Sequence, residues 1–264
     1  MASDSEPFTT SSAPASAART DDAALGQGTL IIAPTYNERS NLELFVEGTL
    51  GVAPAAHLLI VDDNSPDGTG ALADEIAARD SRVRVLHRPG KLGLGTAYAA
   101  GFQQGLKDGY RFFFEMDADL SHDPLHLPEF FRALAEGADL VIGSRNIPGG
   151  HVVGWGPGRH LLSKGGSLYS RAILGVGVRD LTSGYKAFTR AALEALLVEK
   201  VDSNGYSFQI EMNYRALRRG LKVREVPIVF VDRQVGASKM DRKIVLEAVL
   251  TVWKLRLRAL RRDG

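Results

Sequence analysis

The sequence predicts an α/β fold, a mainly parallel sheet with helices on both faces. Two observations carry that class: strand-type apolar runs alternate strictly with helical segments from Thr29 onward, and chemically useful polar residues collect where the runs end. Such alternation implies right-handed crossovers, and ligands of such sheets bind outside the carboxyl ends of the strands.

Taken in order, TLIIAPT (Thr29 to Thr35) reads as a buried strand, YNERSN as a turn, and Asn41 to Leu50 as a short helix capped by Asn41 or Ser40. His57 to Asp63 is a second strand, closed by a turn at Pro66 and Gly68 that leads into a helix over Thr69 to Arg79. Arg82 to His87 is a third strand, RPGKLGLGT a glycine-rich loop, and Ala97 to Lys107 a helix. The fourth strand, Tyr110 to Met116, stops at two aspartates, Asp117 and Asp119. Pro124 suits the first turn of a helix that runs to Glu136, with His122 or Asp123 as its cap. Ala138 to Arg145 is a fifth strand, followed by a long glycine-rich loop and a helix over Arg159 to Leu174. The remainder reads as a short strand (Ser183 to Phe188), two helices (Ala191 to Leu197 and Phe208 to Arg218) and a long strand (Lys222 to Arg233) whose Pro227 argues for a sheet edge.

With 264 residues, a formal charge of +1 and 44% apolar content, the chain can bury a real core as one large domain or two small ones. It has no cysteine, which excludes disulfides, thiolate nucleophiles and Cys-ligated zinc. Any metal must therefore sit on oxygen or imidazole. No apolar stretch approaches the roughly 20 residues that span a bilayer, so a soluble or peripheral protein is expected, and no nucleic-acid partner. Residues 1–28 are rich in Ala, Ser, Thr and Asp and read as a disordered tail without signal-peptide character. The expected division is that tail, a catalytic unit over 29–241, and a basic amphipathic helix over 242–264.

Side chains alternate faces along a strand, so Asp117 and Asp119 are expected to point the same way and to grip one cation between them. A solvated acidic turn is the plain alternative. Tyr36, Asn37, Glu38, Asp62, Asp63, Ser144 and Arg145 are expected at the same rim of the sheet. Two bare carboxylates repel a diphosphate by about 4 kcal/mol per charge pair at about 4 Å and an effective dielectric near 20. A divalent cation, Mg²⁺ or Mn²⁺, reverses that sign. Glycoside hydrolysis needs carboxylates about 5 to 10 Å apart across a bond, a poor match for neighbours two apart. Arg145, Arg233 and Lys239 are candidate phosphate clamps, each of which alone reads as a surface cation. The loop Gly90 to Gly95 lacks the dinucleotide-binding spacing, and His122 with His126 reads as a surface pair.

APTYNERSNL, VDDNSPDGT, MDADLSHDP, GSRNIPGG, TSGYKAFTR and VDRQVGASK, in that order from Ala33 to Lys239, resemble the dolichol-phosphate mannosyltransferase family, inverting glycosyltransferases of the GT-A (Rossmann-like) fold. The resemblance implies that Pro34, Tyr36, Glu38, Val61 and Asp63 hold the nucleotide, and that Asp117 and Asp119 bind the metal with Ala118 lining the pyrophosphate. Arg145, Ser144, Arg233 and Lys239 would meet phosphates of donor or acceptor. Many members carry Gln where this chain has Ser121, which puts the third metal ligand in doubt. The implied activity is transfer of mannose from GDP-mannose to a polyprenyl monophosphate. That acceptor is already anionic and needs no general base, leaving Asp119 and Arg145 as the catalytic candidates. UDP-glucose as donor, or a non-catalytic adaptor at a membrane surface, are the alternatives.

A lipid acceptor requires access to a membrane, expected at its cytoplasmic face. The last helix, about Arg242 to Arg262, carries an apolar stripe at Leu246, Val249, Leu250, Trp253, Leu257 and Leu260, with Lys254, Arg256, Arg258, Arg261 and Arg262 on its other face and end. The stripe either packs on the domain or meets lipid, and a membrane-embedded partner protein is the other possible anchor.

Overall fold

The structure, a computed structural model, describes residues 24–197, 205–232 and 242–263. Its elements are β1 (Thr29–Thr35), α1 (Leu42–Val52), β2 (His57–Asp62), α2 (Thr69–Arg79), β3 (Val83–His87), α3 (Leu94–Lys107), β4 (Phe112–Glu115) and α4 (Leu127–Ala135). They continue with β5 (Leu140–Ser144), β6 (His151–Val153), α5 (Pro157–Leu174), β7 (Lys186–Thr189), α6 (Arg190–Leu197), α7 (Gly205–Arg218), β8 (Val223–Pro227), β9 (Val229–Val231) and α8 (Arg242–Asp263).

Seven strands form one sheet in the order β3-β2-β1-β4-β7-β5-β8. All neighbours are parallel except β7, which runs antiparallel to both β4 and β5. The period-two alternation divides the core in two. Ile31, Ala33, Ile60, Phe114 and Val141 face α1, α2 and α4, whereas Leu30, Ile32, Val61, Phe113 and Ile142 face α3, α6, α7 and α8. Helix α3 lies hard on the sheet because Gly101 and Gly105 carry no side chain there. A Cβ at Gly101 would stand 2.6 Å from Ile32, and one at Gly105 2.6 Å from Leu30.

Three expectations need correction. The long strand predicted over Lys222 to Arg233 breaks at Ile228: β8 closes the edge of the main sheet, as Pro227 suggested, while β9 pairs with β6 in a separate two-stranded sheet. The glycine-rich loop that supplies β6 read as unstructured because three exposed or half-buried residues leave no alternation to detect. Residues 24–28, assigned to the tail, form a turn that docks beside α1, with Ala55 N–H donating to the Leu25 carbonyl at 3.1 Å. The rest of the predicted tail lies outside the described residues.

Helix α8 packs through Val252, Leu255 and Ala259 into the core shared with α7. That face is not the predicted stripe. At 100° per residue, the two faces stand on opposite sides of the helix, and Leu250, Trp253 and Leu257 remain 51%, 47% and 53% exposed. Among the described residues no helix is long and apolar enough to cross a membrane.

Candidate active site

The rim forms where β1, β2, β4 and β5 end, and its turns depart from ordinary backbone. Asn37, Asn64 and Leu120 have φ of 61°, 57° and 63°, each in the turn that follows β1, β2 or β4. Asn tolerates the left-handed region, but a leucine there carries strain of about 1–3 kcal/mol. Leu120 separates Asp119 from Ser121 and turns the chain so that Ser121 folds back. The Ser121 N–H and hydroxyl both donate to Asp119 Oδ1, at 3.1 and 2.5 Å.

This turn, not strand alternation, arranges the aspartates. β4 ends at Glu115, so Asp117, Ala118 and Asp119 lie beyond it. Asp117 Oδ1 accepts from the Tyr98 hydroxyl at 3.0 Å, and its N–H donates to His122 Nδ1 at 3.0 Å. His122 is buried and stacked on Tyr185 at 4.9 Å between ring centroids. His126 Nε2 accepts from Val229 N–H at 3.0 Å, tying the turn to β9. The two histidines expected as a surface pair are thus backbone anchors of the site. Ser121, expected as a third metal ligand, is 1% exposed and stands behind Asp119 as its hydrogen-bond donor. Among the described residues no group of three acidic or imidazole side chains converges as a cation cage. Asp117 and Asp119 fit a hard divalent ion whose remaining positions fall to phosphate oxygens and water, the habit of Mg²⁺-type sites.

Beneath Asp117 lie Glu115 and Lys186, both 0% exposed, with Nζ 3.9 Å from Oε2. Burial raises the Glu115 carboxyl to about 7 against the attraction of Lys186, and burial lowers the Lys186 amine to about 8. The Lys186 amine also donates to the Gln209 carbonyl at 3.2 Å and to its side-chain oxygen. Glu115 contributes stability that is present below its ordinary 4.5 and lost as pH rises through about 7. Lys186 contributes stability present above its ordinary 10.5 and lost as pH falls through about 8. The pair therefore supports the fold least between those two values. The double variant Glu115→Gln, Lys186→Met is expected to flatten this dip in thermal melts across pH; a pH profile of Tm unchanged from wild type contradicts it.

The loops after β1 and β2 are laced together. Asn37 N–H donates to Ser65 Oγ, Glu38 N–H to Thr69 Oγ1, and Arg39 N–H to Asp67 Oδ2. Burial opposes charge on Asp67, but the Thr69 hydroxyl and N–H outweigh it and hold its carboxyl low. Asp62 is used internally, accepting from Thr35 and Ser65. Asp63 faces Arg88, with Nε 3.0 Å from Oδ1; burial raises its carboxyl although Arg88 pulls the other way. Arg88 Nη1 is buried with no hydrogen-bond partner among the described residues. Tyr36 is half-buried beneath Lys91, whose Nζ lies 4.6 Å from the ring centroid. Pro34 is half-buried in β1, and Val61 and Ala118 are buried, the Val61 side chain lying in the core on the α3 side of the sheet.

Arg145 is held by a fully buried carboxylate. Its Nε and Nη2 donate to the two oxygens of Asp180 at 2.8 Å each, and Nη2 also donates to Thr182 at 2.9 Å. Burial works against Asp180, but Arg145 outweighs it and keeps the carboxyl below its usual range. The Arg145 guanidinium lies 5.7 and 5.4 Å from the ring centroids of Trp155 and Phe230, and Arg159 lies 4.3 Å from Trp155. Ser144, expected at the acceptor phosphate, is 0% exposed and accepts from Asn146 N–H at 3.3 Å, so it shapes the turn and does not reach the rim. Arg233 and Lys239 lie outside the described residues.

Sequence reasoning missed Tyr98, Arg88, Asp180, Trp155 and Arg159. Each acts through a partner tens of residues away or through an aromatic wall that no local spacing reveals. The only local signal was the glycine-rich loop, which opens at Arg88, carries Lys91 and leads into α3 with Tyr98 on its buried face.

A mixed sheet of this order, with carboxylates and cations gathered at its strand ends, has the architecture of the GT-A fold. The chain belongs to glycosyl transferase family 2, whose family model matches residues 30–197. It is 51% identical over 241 residues to the polyprenol monophosphomannose synthase of Mycolicibacterium smegmatis, covering 90% of this chain and 91% of that one. It is 48% identical to the undecaprenyl-phosphate mannosyltransferase of Micrococcus luteus, covering 87% and 94%. Among solved structures, glucosyl-3-phosphoglycerate synthase of Mycobacterium tuberculosis superposes with a TM-score of 0.64 at 21% identity, covering 87% of this chain and 80% of that one. A Pyrobaculum calidifontis mannosyltransferase in complex with GDP-Man and Mn²⁺ gives 0.58 at 17% identity, covering 92% and 66%. At such identities these structures bear on the fold alone.

Proposed function

We propose that this chain transfers mannose from GDP-mannose to a polyprenyl monophosphate with inversion, giving a polyprenyl-phosphate mannose. The observation that carries the reading is the near-complete coverage of two relatives, at 51% and 48% identity, both of which are polyprenyl-phosphate mannosyltransferases. The intact aspartate turn and the donor–acceptor pair of Asp63 and Arg88 support it. Asp117 and Asp119 would hold Mg²⁺ or Mn²⁺, which when bound supplies the positive charge that a diphosphate leaving group requires. Tyr36, Glu38 and Asp63 line the nucleotide end of the rim, Asp63 and Arg88 meeting the base edge. The acceptor phosphate attacks the anomeric carbon as an anion, with GDP as the leaving group, and so needs no general base. Arg145, fixed by Asp180 and the aromatic wall, orients that phosphate, and pre-set geometry is the larger part of its contribution.

Access to the lipid comes from peripheral contact at the cytoplasmic face of a membrane. Leu250, Trp253 and Leu257 form an exposed apolar face on α8, with Lys254 and Arg258 beside it, the composition of an interfacial helix. Whether a membrane-embedded partner protein adds to that contact rests on pull-down from membranes. A panel of radiolabelled sugar nucleotides with polyprenyl phosphate tests the donor: label from GDP-mannose is expected in the lipid phase, and label only from UDP-glucose overturns the reading.

A further inference from the structure

We infer that Tyr98, on α3, is a positioning residue for the metal site: its hydroxyl fixes the orientation in which the Asp117 carboxylate meets a divalent ion. Tyr98 takes this role on the reading of Asp117 and Asp119 as metal ligands in the proposed function, and it reaches them from the α3 side of the sheet.

The ring is held by its neighbours. Tyr98, Gly101, Phe102 and Gly105 recur at helical spacing on the buried face of α3. The two glycines let that face approach β1 until a Cβ would stand 2.6 Å from Ile32 or Leu30. The Tyr98 ring is 0% exposed and lies nearly parallel to Phe208 of α7, with 6.2 Å between centroids and 8° between planes. Phe102 stacks with it at 6.2 Å and 24°. Rotation about the second side-chain torsion of a tyrosine leaves the oxygen near the ring axis, so a ring packed in this way delivers its hydroxyl to one point.

That point is Asp117 Oδ1, which accepts from the hydroxyl at 3.0 Å. Asp117 lies beyond the end of β4, where the strand ladder no longer sets the backbone. Its N–H donates to His122 Nδ1 and so fixes the main chain, while the bond from Tyr98 fixes the carboxylate. Oδ2 is thereby turned toward Gly184, 3.9 Å from where a Cβ would stand there. Asp119 is oriented in the same manner by a local donor, its Oδ1 accepting from the Ser121 hydroxyl at 2.5 Å. Each carboxylate thus gives one oxygen to a protein hydroxyl, the kind of outer contact that orients a metal ligand. At neutral pH a phenol carries its proton and acts toward a carboxylate as a donor. Phenylalanine would fill the same space and keep both stacks, so what the tyrosine adds is the bond to Asp117.

The test compares the full chain with its Tyr98→Phe, Asp117→Asn and Phe188→Leu variants by calorimetric titration of Mn²⁺ in the presence of GDP, by thermal melts and by the Mn²⁺ dependence of transfer. Phe188 of β7 belongs to the same core and packs edge-on against Phe102, with 5.6 Å between centroids. Tyr98→Phe is expected to raise the Mn²⁺ dissociation constant about 10- to 100-fold with Tm close to wild type. Its transfer rate should fall at limiting Mn²⁺ and recover as Mn²⁺ is raised. Phe188→Leu is expected to lower Tm while binding Mn²⁺ as wild type does. Wild-type Mn²⁺ affinity in Tyr98→Phe, with Asp117→Asn weakened, overturns the role of Tyr98 and leaves the metal reading standing. Equal weakening in Tyr98→Phe and Phe188→Leu also overturns it, assigning the effect to core packing. Wild-type Mn²⁺ affinity in Asp117→Asn overturns the metal reading itself and the role of Tyr98 with it.

Discussion

Asp119→Asn is expected to lower kcat/KM for mannosyl transfer by about a thousandfold or more, with the fold intact. The variant keeps the shape and the hydrogen-bond acceptor for Ser121 but loses the charge that would hold a divalent ion against a diphosphate. Circular dichroism and thermal melts should be indistinguishable from wild type, because Asp119 lies in the turn beyond β4 and supports no strand. Ser121→Ala offers the graded comparison. It removes the 2.5 Å hydroxyl donor from Asp119 Oδ1 and leaves the 3.1 Å N–H in place. Partners that orient ligands cost about 10- to 100-fold in metal affinity, so this variant should recover activity at raised Mn²⁺ whereas Asp119→Asn does not. Near-normal turnover of Asp119→Asn would remove the aspartate turn from the chemistry.

Asp180→Ala is expected to be the most destabilising single change near the site. Asp180 is 0% exposed and accepts from Arg145 Nε, Nη2 and N–H. Its removal leaves a guanidinium buried between Trp155 and Phe230 without its counter-charge, which costs about 3–5 kcal/mol. For a chain of this size that corresponds to a fall in Tm of roughly 10 °C. Because Arg145 loses its orientation as well, KM for the acceptor should rise more than KM for GDP-mannose. A melt within a degree or two of wild type would show that the pair carries little of the local structure.

Much of this was legible in the chain, for identifiable reasons. Buried parallel strands such as LIIAPT and LLIVDD announce themselves as continuous apolar runs, and their ends mark the rim. The Pro227 edge was legible because a missing N–H has one tolerable place in a sheet. What stayed hidden depended on distance. Nothing around Tyr98 says that its hydroxyl meets Asp117, and nothing around Asp180 says that it neutralises Arg145. The geometry of the aspartates was misread, since strand alternation ends at Glu115 and a left-handed Leu120 takes over. The stripe on α8 was read correctly as apolar, yet the helix buries the opposite face, where Val252, Leu255 and Ala259 are too few and too small to dominate a periodicity.

The central claim is that Asp117 and Asp119 bind a sugar nucleotide through a divalent ion. Titration calorimetry of GDP-mannose into the full chain, with Mn²⁺ and with chelator, measures it directly. The account predicts binding with Mn²⁺, its loss with chelator, and its loss in Asp117→Asn and Asp119→Asn at the same Mn²⁺ concentration. Equal affinity for GDP-mannose with and without metal, or wild-type affinity in both variants, would contradict it.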